Sequence, residues 1–229
     1  MSELLVERRP AEAGGEVMTL TLNRPERVNA LTEAMFQQLN AALDEAERDD
    51  AVRVIVLRGA GPKGFCSGLD RAEIARLAEA GRRLDLFTGP NGIYRVAGRV
   101  DRFPKPVLSL VHGHCIAAGC QLATAADLII AAENAQIVEP EMRMGGFNDE
   151  SWARRLGRTL GPVRAKRYLL LASPLSGREA YELGLVSLVV PDEDLLATGE
   201  RLANQIASYL PHVVSQTLRM IDEGAGMVG

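Results

Sequence analysis

Lys105-Pro-Val-Leu-Ser-Leu-Val111, His112-Gly-His-Cys-Ile-Ala-Ala118, Gly119-Cys-Gln121, Asp127-Leu-Ile-Ile-Ala131 and Ile137-Val-Glu-Pro-Glu141 form the stretch on which the fold turns. Its run from Val107 to Val111, apolar at four of five positions, predicts a buried strand, Gly113 to Ala118 a turn of small residues, and Gly119 to Ala125 a helix. A second apolar run follows, and then Glu141 behind a proline. A chain written this way lays a helix start beside an acid, which is where chemistry is expected.

Working outward, the 229 residues are 47% hydrophobic, enough for one large core, and no shift in composition marks a second folding unit. A net charge of −4 leaves no basic stripe for a nucleic acid, and the charges are interspersed. Cys66, Cys115 and Cys120 are an odd set without CxxC spacing, which argues against a disulfide framework and against a zinc site. No apolar run approaches the ~20 residues of a membrane span, and the N-terminus lacks a signal peptide's apolar centre. A cytoplasmic protein with neither metal nor membrane partner is the expectation.

Toward the N-terminus, Leu4 to Arg8 and Val17 to Leu22 flank Ala13-Gly14-Gly15 and predict a hairpin. Thr32 is placed to cap a helix whose Leu31, Met35, Leu39, Leu43 and Ala46 fall on one stripe. Val52 to Leu57 reads as a strand, followed by a glycine-rich loop and then Phe65-Cys66-Ser67-Gly68-Leu69-Asp70 at the head of a helical pattern from Arg71 to Leu77. Ala80 to Pro90 is charged and loop-like, and Ile93 to Val100 fits a helix.

Strand, turn and helix therefore occur twice, once through Gly68 and once through Gly119. At each helix start a backbone N–H, that of Leu69 and that of Ala118, lacks an intrahelical acceptor. On one reading these are only strand-to-helix turns. On the other, two such N–H groups aimed at one point form an oxyanion hole. Glu141 has two readings of its own, a surface acid at a strand end or a buried one whose pKa is raised toward a useful range.

Asn23-Arg-Pro-Glu-Arg-Val-Asn-Ala-Leu31, Phe65 to Asp70, Lys105 to Gln121, Ala135-Gln-Ile-Val-Glu-Pro-Glu141, Leu156-Gly-Arg-Thr-Leu-Gly161 and Glu179 to Ser187 together resemble the crotonase (enoyl-CoA hydratase/isomerase) superfamily. The resemblance implies an α/β fold, a spiral of ββα repeats over residues 1–190, with a shortened helical C-terminal segment over 191–229. It also implies a homotrimer or a dimer of trimers. The substrate it implies is an acyl-CoA thioester, coenzyme A entering as part of the substrate and no separate cofactor being required.

Position by position, it makes the Leu69 and Ala118 amides the holders of the thioester oxygen. Arg27, Val28, Ala30, Ser67, Gly68 and Asp70 fall on the segments that line the coenzyme A path. Hydratases of the superfamily grip a water between two glutamates, at the places of Gln121 and Glu141. Here the first is an amide, which orients a ligand by hydrogen bonds but does not carry a proton. Glu141 is then the expected base. Asp149, preceded by Phe147-Asn148, stands where dienoyl-CoA isomerases carry a second acid, although an N-cap for the helix Ser151 to Leu160 explains it equally well.

A dehalogenase reading requires a histidine where Gly98 stands. His112 is expected to support the turn, and His114 to pack beside it. These implications favour double-bond migration over hydration, with a non-catalytic acyl-CoA binder as the third reading. The C-terminal end is expected to contribute one helix, Pro211 to Met220, with Glu223 to Gly229 too glycine-rich to continue it.

Overall fold

The computed structural model describes residues 2–145 and 149–224. Phe147, Asn148 and the chain from 225 onward lie outside the described residues. The chain runs through β1 (Leu4–Pro10), β2 (Glu16–Leu22), α1 (Glu33–Arg48), β3 (Val52–Gly59), α2 (Arg71–Glu79), α3 (Asp85–Thr88), α4 (Ile93–Asp101), β4 (Val107–Val111), β5 (His114–Ile116) and α5 (Ala118–Thr124). It continues through β6 (Leu128–Ala132), β7 (Gln136–Val138), α6 (Glu141–Met144), α7 (Glu150–Leu160), α8 (Pro162–Leu171), β8 (Leu175–Ser176), α9 (Gly177–Leu183), β9 (Leu188–Val190), α10 (Leu195–Ala207) and α11 (Pro211–Gly224).

β1 and β2 form the expected antiparallel hairpin, closed by Ala11 N–H to Gly15 O at 2.9 Å. Every later pairing in that sheet is parallel, in the order β1-β2-β3-β4-β6-β9. Parallel strands are covered on both faces, which is why β4 is buried at all five positions.

A second layer explains the spiral. After β2, β3, β4 and β6 the chain passes in turn through Leu31, Cys66 to Leu69, β5 and β7. These passes bridge one to the next, Leu31 to Leu69, Cys66 to Cys115, and Cys115 to Ile137. Each pass then becomes a helix, respectively α1, α2, α5 and α6. Strand, rung, helix is the repeat, and equivalent helix starts are stacked side by side.

α1 begins as expected, with the Thr32 hydroxyl accepting the Met35 N–H at 3.1 Å, and its stripe of Met35, Phe36, Leu39 and Leu43 is buried against the sheet. Each such side chain contributes about 1.5–3 kcal/mol by leaving water. Lys105 donates through Nζ to Ala46 O at 2.6 Å and Asp49 O at 2.8 Å, capping the end of α1. The opposite sheet face is closed by α10, whose Leu195, Ala203 and Ala207 pack with Val54, Val56, Leu108 and Ile130. Gly199 lets α10 sit down on β4, since a Cβ there would lie 2.6 Å from the Leu110 side chain.

Three expectations change. The small residues from Gly113 to Ala118 are not all turn, because His114–Ile116 form β5 once a parallel partner, β7, is available. The stretch from Ala80 to Pro90 contains the short helix α3, with Leu86 buried. The C-terminal helix extends past Met220 to Gly224 with no residue buried. Among the described residues no helix is long and apolar enough to cross a membrane, and no cluster of three or more His, Cys, Asp or Glu could hold a metal ion. All three cysteines are buried and free.

Candidate active site

Stacking of the repeats brings residues 66–70 alongside 115–119. Cys66 N–H donates to His114 O at 3.0 Å and Ile116 N–H donates to Cys66 O at 2.9 Å, which aligns the two turns. Gly68, at φ +98°, would place a Cβ 3.2 Å from the Ala117 Cβ and 3.7 Å from the Ala118 nitrogen, so only glycine lets the turns approach this closely. Its own N–H is occupied by the Cys66 sulfur at 3.4 Å. The next N–H, that of Leu69, has no acceptor among the described residues, and neither has that of Ala118 at the start of α5. Leu69 pairs with Leu31 only through the atoms of its neighbours, Leu31 N–H to Gly68 O and Asp70 N–H to Leu31 O, both 2.8 Å, which turns its own N–H the other way.

Ala117 makes the second turn sharp. It adopts φ 51° and ψ −123°, strained for a residue with a Cβ, while its N–H is held by Val138 O at 2.9 Å. That bond fixes β7 beside the turn, so Glu139 and Glu141 arrive next to α5. Gly119 is required there, because its Cβ would lie 2.7 Å from the Cys66 Cβ and carbonyl oxygen.

Glu141 opens α6 half-buried, and burial pushes its carboxyl above the ordinary glutamate range. Gln121 is buried one turn into α5, on the face of Ala118. Asp149 accepts the Trp152 N–H at 3.0 Å and the Ser151 hydroxyl, as the N-cap of α7. The Asn148 that precedes it lies outside the described residues.

The coenzyme A positions expected from the sequence gather at one edge. Arg27 is exposed, Val28 follows at φ 50°, and Ala30 is buried. Ser67 joins this segment through its N–H to Val28 O at 2.9 Å and its hydroxyl to Arg27 O at 3.1 Å. Asp70 is committed elsewhere. It caps α2 by accepting the Ala72 and Glu73 N–H groups, and Arg24 Nη1 stands 2.8 Å from its carboxyl. Burial pushes Asp70 up, but these donors outweigh it and hold the carboxyl below its usual range. His112 Nε2 meets Gly61 O at 2.8 Å and so supports its turn, while His114 is exposed on β5.

Three residues escaped the sequence reading. Asn29, fully buried, receives the Arg24 N–H and donates to Ala60 O and Gly64 O, pinning the first loop to the second. Tyr94 of α4 is pushed up by burial and by the negative charges of Asp149, Glu141 and Glu139, which marks where the acids converge. Glu139 is 1% exposed and its carboxyl accepts the Gln121 Nε2–H at 3.2 Å. Burial pushes Glu139 up to about 7 against the pull of Gln121. An acid set between Val138 and Pro140 in an apolar run was the available signal.

A mostly apolar cavity of 670 Å³ lies between β6, α7 and α11, and none of Leu69, Ala118, Glu139 and Glu141 lines it. The turns that carry Leu69 and Ala118, and the acids Glu139 and Glu141, lie apart from it. In general, two preorganised donors that share one oxygen can polarise a carbonyl, and a half-buried acid within reach can move a proton on a neighbouring carbon.

Comparison with known proteins identifies the family. The model of the enoyl-CoA hydratase/isomerase family matches residues 12–226. The chain is 32% identical to a short-chain-enoyl-CoA hydratase of Clostridium acetobutylicum, over 93% of this chain and 80% of that one. It is 38% identical to a 1,2-epoxyphenylacetyl-CoA isomerase of Escherichia coli, over 84% of this chain and 73% of that one. The solved structure of an enoyl-CoA hydratase from Bacillus anthracis superposes with a TM-score of 0.88 at 29% identity, covering 99% of this chain and 84% of that one. The chain belongs to the enoyl-CoA hydratase/isomerase family, the crotonase superfamily that its motifs resemble.

Proposed function

We propose that the chain binds an acyl-CoA thioester, stabilises its enolate between the Leu69 and Ala118 amides, and shifts a carbon-carbon double bond with Glu141 as the principal base. One observation carries this reading: two N–H groups without acceptors among the described residues stand at adjacent helix starts, with a half-buried acid of raised pKa opening the next helix of the same stack. Holding the thioester oxygen makes protons near the carbonyl removable, and a single acid that takes a proton from one carbon and returns it to another completes a migration. Arg27, Val28, Ala30 and Ser67 border the coenzyme A path in this reading. Asp70 acts as a structural cap, and Asp149 as a cap first and a second acid only if its charge reaches the acyl chain. A homotrimer belongs to the same proposal, and light scattering reads it.

Hydration is the second reading, favoured by Glu139, which supplies a carboxyl beside Gln121 where the amide itself carries no proton. Purified protein offered 3-enoyl-CoA, dienoyl-CoA and 2-enoyl-CoA separates the readings. Migration that exceeds hydration supports the first, and the reverse supports the second. Tight binding without any turnover identifies a binder. Unchanged migration in Glu141→Gln removes Glu141 from the mechanism.

A further inference from the structure

Glu139 is a buried acid that the proposed double-bond shift does not use. It follows β7 directly, beside the turn that β7 holds through Ala117 N–H to Val138 O. One carboxyl oxygen, Oε2, accepts the Gln121 Nε2–H at 3.2 Å. The other, Oε1, is buried without a hydrogen-bond partner of normal geometry among the described residues, although the Glu141 N–H lies close enough to favour its charged form. Both side chains are buried, Glu139 at 1% and Gln121 at 4% exposure, and of the two it is Gln121 that lies on the α5 face that begins at Ala118. Glu139 therefore acts through the amide.

A side-chain amide is two-ended, with NH2 donating at one end and C=O accepting at the other. A charged Glu139 accepts only, so it holds the NH2 end and turns the Gln121 carbonyl oxygen away from itself. A neutral Glu139 carries an O–H that donates to the carbonyl oxygen, which turns the NH2 outward. We propose that Glu139 is a positioning residue whose protonation state decides whether Gln121 presents an acceptor or a donor to the acyl group bound at the Leu69 and Ala118 turns. The inference rests on the thioester reading only for what the amide faces.

The groups around Glu139 leave it free to titrate near neutrality. Cys115 of β5 and Tyr168 of α8 are pushed well up by burial, and Tyr94 of α4 is raised too, so all three stay neutral there. Cys120 of α5 meets the Tyr168 hydroxyl at 3.3 Å. Glu141, next along the chain, is raised by burial and adds a negative charge that raises Glu139 further. Outside this cluster Asp127 is also pushed up to about 7, so Asp127→Asn serves as the control.

The test has one arm without ligand and one with acetoacetyl-CoA, whose enolate absorbs in the near ultraviolet. In the free protein, the Gln121 side-chain NH2 resonances, identified by their loss in Gln121→Met, are followed across a pH series by nitrogen-15 NMR. Their expected shift has a midpoint near 7 in the wild type and in Asp127→Asn, and is absent in Glu139→Gln. Should Glu139→Gln fail to fold, Glu139→Asp keeps the carboxyl and displaces the midpoint. In the ligand arm, enolate binding relative to Glu139→Gln falls several-fold as pH rises through that midpoint, because the charged acid turns an acceptor toward the enolate. In a Gln121→Met background the Glu139 substitution then has no further effect on the profile.

Gln121 resonances that ignore pH, or a Glu139→Gln effect that persists in Gln121→Met, overturn the proposal. A wild type that shows the NMR midpoint but no bound enolate sinks the thioester reading and leaves the Glu139 control of Gln121 standing.

Discussion

Cys66 and Cys115 face each other across one parallel bridge, and three residues beyond each come Leu69 and Ala118. That alignment sets the two turns side by side, a Cβ built on Gly68 lying 3.7 Å from the Ala118 nitrogen. Stacking of equivalent turns is therefore what the proposed oxyanion site depends on.

For Glu141, the expected outcome of Glu141→Gln is a fall in kcat of about 10²- to 10⁴-fold with little change in KM, since proton transfer and not binding is removed. Because a base must be charged and burial raises this one, wild-type kcat falls as pH drops through a value above the ordinary glutamate range. Steady-state rates across pH check both.

Strain at Ala117 gives a second prediction. A residue with a Cβ at φ 51° and ψ −123° costs on the order of 1–3 kcal/mol, part of which glycine gives back in chain entropy. Ala117→Gly is expected to stabilise by about 1 kcal/mol, raising Tm by about 3 °C, with the Ala117 N–H to Val138 O bond kept. Thermal unfolding reads it, and a lowered Tm contradicts it.

Asp149 can be separated into its two roles. Asp149→Ala loses the cap of α7 and is expected to cost about 1 kcal/mol, whereas Asp149→Asn keeps an acceptor for the Trp152 N–H and most of that stability. If the residue only caps, Asp149→Asn retains turnover within a few-fold. A drop of a hundredfold in that variant, with Tm unchanged, makes Asp149 a working acid.

Stability should fall as pH rises through mildly acid values. Glu139 and Asp127 are both held up to about 7 in the folded chain by burial, well above their unfolded values. Below an unfolded pKa of about 4 both states carry the protons and nothing is lost. Between about 4 and 7 the unfolded chain releases protons that the folded chain keeps, so ΔG of unfolding declines with pH and levels off above 7. Urea unfolding at a series of pH values should show a shallower decline in Glu139→Gln and in Asp127→Asn.

Much of this was legible before any coordinates. The α1 stripe, the Thr32 cap, the hairpin at Gly14-Gly15 and the apolar run of β4 rest on local spacing, and local spacing is what a sequence displays. β5 was hidden because three residues, one of them an exposed histidine, show no period until β7 lies beside them. The cap that Lys105 places on α1 was hidden because the carbonyls it reaches lie more than fifty positions earlier in the chain. Glu139 was passed over because its partner, Gln121, is on another element, and only packing reveals that the two meet.

Both N–H groups at the centre of the site belong to the main chain. An exchange of the side chain at 69 or 118, proline aside, leaves its donor in place, whereas a single substitution at 121, 139, 141 or 149 alters the proton inventory around it. In the proposed site the means of activating a carbonyl is thus inherited with the scaffold itself, and the choice of reaction is the part that mutation can easily rewrite.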